Sequence, residues 1–128
     1  MPIQLNHTIV PARDARASAA WLCEILGRDP PTRFGPFWAV GLDNGVTLDF
    51  HDSDQPMPIE HYAFLVSEPE LDAIFERIRA RGLPYWADPM HQRPAQINRN
   101  DGGRGVYWND PNGHYLEIIT RPYGSGSP

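Results

Sequence analysis

Lysine is missing from this chain: all 11 of its Lys and Arg positions are arginine. Schiff-base, pyridoxal phosphate and P-loop chemistries all rest on a lysine amine, so this absence removes three large enzyme classes at once. Cysteine is nearly missing too. The single Cys23 has no partner for an intrachain disulfide, and such usage predicts a cytoplasmic protein. No apolar run approaches the length of a membrane span. Met1-Pro2-Ile3-Gln4 lacks the basic segment and apolar stretch of a secretion signal, so none is expected. Positive charge is also short. A net charge of −5 with scattered arginines leaves no basic stripe, which argues against a nucleic-acid partner.

What is present is repetition. Gly45-Val46-Thr47-Leu48-Asp49-Phe50 and Gly113-His114-Tyr115-Leu116-Glu117-Ile118 read alike, each preceded by an Asn. Upstream, Leu5-Asn6-His7-Thr8-Ile9-Val10 is echoed by Ile59-Glu60-His61-Tyr62-Ala63-Phe64. An early strand with a central His and a late strand with a central carboxylate thus occur twice, in the same order. At 128 residues the length suits one domain, 1–128. It is expected to hold module one at about 3–52, module two at about 58–121 and a flexible Gly/Ser/Pro tail at 122–128.

The patterns fill in each module. Residues 3–10 alternate as a strand, and Asp14 caps a helix over 14–26 with Trp21, Leu22, Ile25 and Leu26 as its apolar stripe. Short β-prone runs follow at 32–34, 37–42 and 46–51, the last two joined at Asp43-Asn44-Gly45. Module two has a strand at 59–66 and the capping box Ser67-Glu68-Pro69-Glu70. Its helix presents Leu71, Ile74, Phe75 and Ile78, and short strands at 84–87, 105–109 and 113–120 complete it. The connection 88–104 is either a pocket rim or a plain polar loop. The fold class is therefore α+β, two βαβββ modules whose apolar sheet faces must be covered.

Strand parity aligns Leu5/His7/Ile9, Thr47/Asp49/His51, Ile59/His61/Ala63 and Tyr115/Glu117/Ile119. A lone strand His is more often a hydrogen-bonded structural residue, and a lone Asp or Glu is usually solvated. The symmetric recurrence of all four points instead to two imidazoles and one or two carboxylates suited to a divalent ion. His51 shares the face of Asp49, with a structural role the commoner reading, and His91 and His114 carry no assignment. Arg93, Arg99 and Arg104 suit either a substrate anion or a solvated loop. Cys23 is expected to be inert. Trp38, Trp86, Trp108, Tyr107 and Tyr115 supply aromatic area, mostly core.

At this point the chain resembles the vicinal oxygen chelate superfamily, which includes glyoxalase I, bleomycin resistance proteins and extradiol dioxygenases. The resemblance rests on Tyr107-Trp108-Asn109-Asp110-Pro111-Asn112-Gly113-His114-Tyr115-Leu116-Glu117-Ile118, on His7 and on Glu60-His61-Tyr62-Ala63, and it covers about residues 3 to 120. It implies a facial triad of His7, His61 and Glu117 holding one divalent metal ion (Zn, Ni, Mn or Fe). Asp49 falls where glyoxalase I has a fourth ligand, usually Glu, and is one methylene shorter. Glu117 and Asp49 are the implied proton-transfer groups. The implied function is a glyoxalase-type lyase or isomerase acting on a small molecule that chelates the metal through adjacent oxygens, with a homodimer as the assembly. The alternatives are an extradiol Fe(II) dioxygenase and a non-catalytic, drug-sequestering protein of the bleomycin resistance type.

Overall fold

The structure, a computed structural model, describes residues 2–126, so residues 127 and 128 of the expected tail lie outside the described residues. The chain divides into two compact units, Met1–Pro58 and Ile59–Pro128. Unit 1 runs β1 (His7–Ala12), α1 (Ala15–Leu26), β2 (Thr32–Phe34), β3 (Phe37–Gly41) and β4 (Thr47–Asp52). Its sheet has the order β1-β4-β3-β2, with β1 parallel to β4 and the other pairs antiparallel. Unit 2 repeats the plan with β5 (His61–Leu65), α2 (Glu68–Ala80), β6 (Tyr85–Trp86), β7 (Gly105–Asn109) and β8 (Tyr115–Ile119), ordered β5-β8-β7-β6. This is the doubled βαβββ plan of an α+β protein.

Local chemistry sets the element ends. Asp14 accepts a hydrogen bond from Ala17 N at 3.0 Å, and the Asp52 carboxylate at the end of β4 accepts from Ala15 N at 2.7 Å, so two acidic oxygens meet the amides of the α1 N-terminus. Ser67 caps α2 by accepting from Glu70 N, with Pro69 in the first turn. The two hairpin turns are built alike. Gly45 N donates to Leu42 O and Leu42 N to Val46 O; Gly113 N donates to Asp110 O and Asp110 N to His114 O. Gly45 and Gly113 sit at φ 83 and 92, which a side chain would resist. The repeat seen in the letters is therefore a repeat of hydrogen bonds.

Some bounds shift for physical reasons. The first strand starts at His7 and continues through Pro11 to Ala12, because β1 is an edge strand and tolerates a residue without an N–H. The strand expected over 84–87 keeps only Tyr85 and Trp86. The following loop runs back beside it, with Ala87 N donating to Arg93 O and Ala95 N to Tyr85 O. The loop thus covers an edge that would otherwise stand open. It ends in a 3₁₀ turn over Asn100–Gly102 that the sequence pattern did not signal.

Each sheet has two unlike faces. Val10, Ala12, Val40, Leu48 and Phe50 in unit 1, and Phe64, Val106, Trp108, Leu116 and Ile118 in unit 2, are buried. The odd-numbered neighbours, carrying His7, Asp49, His61 and Glu117, point to the opposite faces. Arg104 ties α2 to the start of β7, its Nε 2.7 Å from Glu68 Oε1 and its Nη1 2.9 Å from Asp72 Oδ1.

Cys23 belongs to the α1 core rather than to any site, and is 2% exposed. Burial, then the nearby Asp29 and Glu24 carboxylates, push its thiol up to about 11. Below pH 9 both folded and unfolded chains keep the thiol protonated; as pH rises towards 11 only the unfolded chain ionises, so folded stability is lost across that window. Alkaline denaturation curves should show this loss, and Cys23→Ala should lack that component. At pH 8 a thiol reagent should label the native protein about 100-fold more slowly than the unfolded chain.

Candidate functional site

In unit 2 the parallel register places His61 beside Tyr115 and Ala63 beside Glu117, while β7 brings Tyr107 opposite Glu117. Odd parity turns His61, Tyr107 and Glu117 to one face. There His61 Nε2 lies 3.1 Å from Glu117 Oε1. The Tyr107 hydroxyl donates a second hydrogen bond to Glu117, and its ring stands 5.9 Å from the His61 ring. Glu117 is 8% exposed. Removing a carboxylate from water is costly unless its oxygens find donors, and His61 and Tyr107 are those donors. The phenol of Tyr107 is pushed upward by burial first, then by its bond to Glu117 and by the Glu117 and Asp88 charges. It stays a donor at neutral pH.

This cluster borders a cavity of about 680 Å³ within unit 2, a volume that suits a drug-sized molecule. Ala63 and Ile119 form apolar wall beside Glu117. The 3₁₀ turn contributes Asn100 and Asp101 to the rim, so the connection 88–104 lines a pocket as well as covering an edge. Asn98, 4% exposed, holds that rim by donating from Nδ2 to Ala87 O and accepting from Asn100 N. Arg104 reaches the cavity but is already paired with two acids, while Arg93 and Arg99 are not among its lining residues.

Unit 1 carries the related pair in a different state. His7 is exposed and its Nδ1 lies 2.6 Å from Asn6 Oδ1. Asp49 is 7% exposed and accepts from Thr47 Oγ1 at 3.0 Å. The register sets Ile9 against Asp49 as it sets Ala63 against Glu117. Ala39 stands where unit 2 has Tyr107, so Asp49 takes its donor from its own strand. His51 packs its ring against Phe37. Neither unit by itself gathers three His, Cys, Asp or Glu side chains close enough to hold an ion, among the described residues.

Two histidines without assignment prove structural. His114 is fully buried; its Nδ1 accepts from Glu60 N at 3.0 Å and its own N donates to Asp110 Oδ1. His91, at φ 58, is stacked between Trp86 at 3.6 Å and Tyr115 at 4.6 Å. The role of Tyr107 was readable from the letters: once Asp110-Pro111-Asn112-Gly113 closes a hairpin, position 107 must oppose 117. No local pattern announces His91 or Asp101.

The family model described as the Glyoxalase/Bleomycin resistance protein/Dioxygenase superfamily matches residues 4–118. Glutathione transferase FosA of Serratia marcescens is 28% identical over 121 residues, covering 89% of this chain and 78% of that protein. Two solved structures are each 60% identical. Oxidase ChaP-H1 superposes with a TM-score of 0.94 over 96% of this chain and 99% of its own. Oxidase ChaP-H2 does so with 0.96 over 99% and 100%.

Tyr107→Phe should leave the buried Glu117 carboxylate one donor short. Urea unfolding at pH 7 should show a loss of about 1–3 kcal/mol with an unchanged slope.

Proposed function

The chain belongs to the glyoxalase/bleomycin resistance protein/dioxygenase superfamily, and on that premise we propose that it is a metal-dependent oxidase. Its substrate is a small molecule presenting two adjacent oxygens. The observation that carries this reading is the approach of His61 Nε2 and Glu117 Oε1, 3.1 Å apart beside a cavity. An imidazole nitrogen and a carboxylate oxygen are both metal-ligand types, and here they meet on one face beside the cavity. The donor set therefore fits a divalent ion, with His7 as third ligand, supplied by this chain or by a second copy. An ion held by His7, His61 and Glu117 would supply Lewis acidity and, were the metal redox-active, one-electron chemistry.

The protein's own groups do the rest. Tyr107 fixes the direction of the Glu117 carboxylate through its hydroxyl. Ala63 and Ile119 exclude water beside it. In this reading Asp49 stays with Thr47, whose hydroxyl donates to it at 3.0 Å, and the ligands are the three of the pattern associated with oxygen chemistry. Identity of 60% to two proteins named oxidases supports the same choice. A glyoxalase-type lyase or isomerase is the second reading, favoured by the carboxylate retained at position 49. We also place the protein in the cytoplasm, as its cysteine usage suggests.

His61→Ala should abolish stoichiometric metal by elemental analysis, while Asp49→Asn should retain it. In the oxidase reading, oxygen uptake with a catechol should change less than a few-fold in Asp49→Asn. In the lyase reading, turnover of an α-oxoaldehyde adduct should fall about 100-fold or more as a general base is lost. A wild type that holds no divalent ion and only sequesters a planar drug would leave the non-catalytic alternative.

The same reading includes a homodimer. Leu5 and Ile9 at the β1 edge and Ile59 and Leu65 at the β5 edge are all more than half exposed, an apolar surface suited to a second copy. Sedimentation at micromolar concentration should give twice the 14.5 kDa chain mass; a monomer would overturn the assignment.

A further inference from the structure

Beyond β8 the described residues return to the cavity. Arg121 and Tyr123 both line it. The segment is pinned by one side chain: Asp101 accepts from Gly124 N at Oδ2 and from Gly126 N at Oδ1, both at 3.0 Å. Ser125 N closes the turn on Pro122 O. Asp101 itself sits at φ 57 in the 3₁₀ turn of the rim. An acidic residue on the rim therefore spends both carboxylate oxygens on holding this segment in place.

Arg121 is the residue so placed. Its stem lies across Gly103, where a Cβ would meet Arg121 Cγ at 2.6 Å and strike Thr120 Oγ1. Its guanidinium has no hydrogen bond or ion pair among the described residues. The other charges of the cavity are committed: Arg104 to Glu68 and Asp72, Asp101 to two amides, Glu117 to His61 and Tyr107. Among the described residues, one cation lining the cavity is thus left over. Glu117, Ile119 and Arg121 all line the cavity, with Arg121 two residues beyond the end of β8. Ile119, an apolar residue between Glu117 and Arg121 in sequence, lines the same cavity.

We infer that Arg121 is a specificity-determining residue that recognises a carboxylate-type anionic group on the substrate, and that Asp101 is the residue that positions its segment. The ligand is an elongated, mainly apolar molecule with adjacent oxygens at the His61/Glu117 end and the anion at the other. Arginine suits this task because its planar fork meets a carboxylate with two parallel hydrogen bonds. The placing of the adjacent oxygens rests on the proposed function; the anion site does not.

The test uses 3′,4′-dihydroxybiphenyl-4-carboxylate and its uncharged parent 3,4-dihydroxybiphenyl, titrated calorimetrically into the full chain at low salt. Wild type should prefer the carboxylate about tenfold or more, and added salt should reduce the preference. Arg121→Gln should abolish the preference while leaving affinity for the parent unchanged, and Arg121→Lys should restore part of it. Asp101→Asn should lower the preference and speed exchange of the Gly124 and Gly126 amides. The inference is overturned if wild type shows no preference, if Arg121→Gln keeps it, or if that variant weakens both probes equally. The Asp101 role fails if exchange accelerates with the preference intact. Metal content and the metal-free pair biphenyl-4-carboxylate and biphenyl separate the two readings. Metal bound with no anion preference sinks the Arg121 assignment alone; preference without any metal sinks the oxidase alone.

Discussion

The parallel pairing of the first and last strands of each unit is the constraint on which the rest depends. A parallel pair cannot be closed by a tight turn, so everything between β1 and β4, or β5 and β8, must form a crossover long enough to return the chain. In both units that crossover includes the helix that covers one sheet face and the antiparallel strands that extend it. The pairing also fixes chemistry. Once His61 is beside Tyr115, Glu117 must lie opposite Ala63 and on the same face as His61. A slip of one residue would turn the carboxylate into the apolar layer of Leu116 and Ile118.

The two units share that framework and differ in how they satisfy a buried carboxylate. Glu117 is met from neighbouring strands, by His61 and Tyr107, and is aimed beside a cavity. Asp49 is met by Thr47, two residues away on its own strand, because Ala39 has no hydroxyl to offer. The turn before β8 is likewise reinforced by the Asp110 carboxylate, which accepts from Asn112 N and His114 N, where unit 1 has Leu42. Duplication supplied two equivalent positions, and side-chain changes around them left unlike surroundings.

What was legible in the letters follows from the same physics. Period-2 alternation, the Asp43-Asn44-Gly45 turn and the Ser67 capping box are local signals, and each gave an element within a few residues. The recurrence of His and carboxylate was visible because duplicated strands keep parity. What escaped depends on contacts distant in sequence. The Asp101 clamp spans 23 and 25 residues to Gly124 and Gly126, and a Gly/Ser/Pro run carries no mark of being held. His91 is fixed by Trp86 and by Tyr115, which lies on another strand. Cys23, expected to be inert, is buried on the core face of α1, in keeping with that expectation.

The long parallel closures also set a clock for synthesis. His7 waits for Thr47, 40 residues later, and His61 for Tyr115, 54 residues later. At about 5–20 residues per second, the first strand of each unit stays unpaired for roughly 2–8 s and 3–11 s respectively. During that interval β1 is an unclaimed edge carrying Ile9, and β5 another carrying Leu65, each open to pairing with a neighbouring nascent chain. The face that holds His61 and Glu117 is completed last, when β8 enters between β5 and β7.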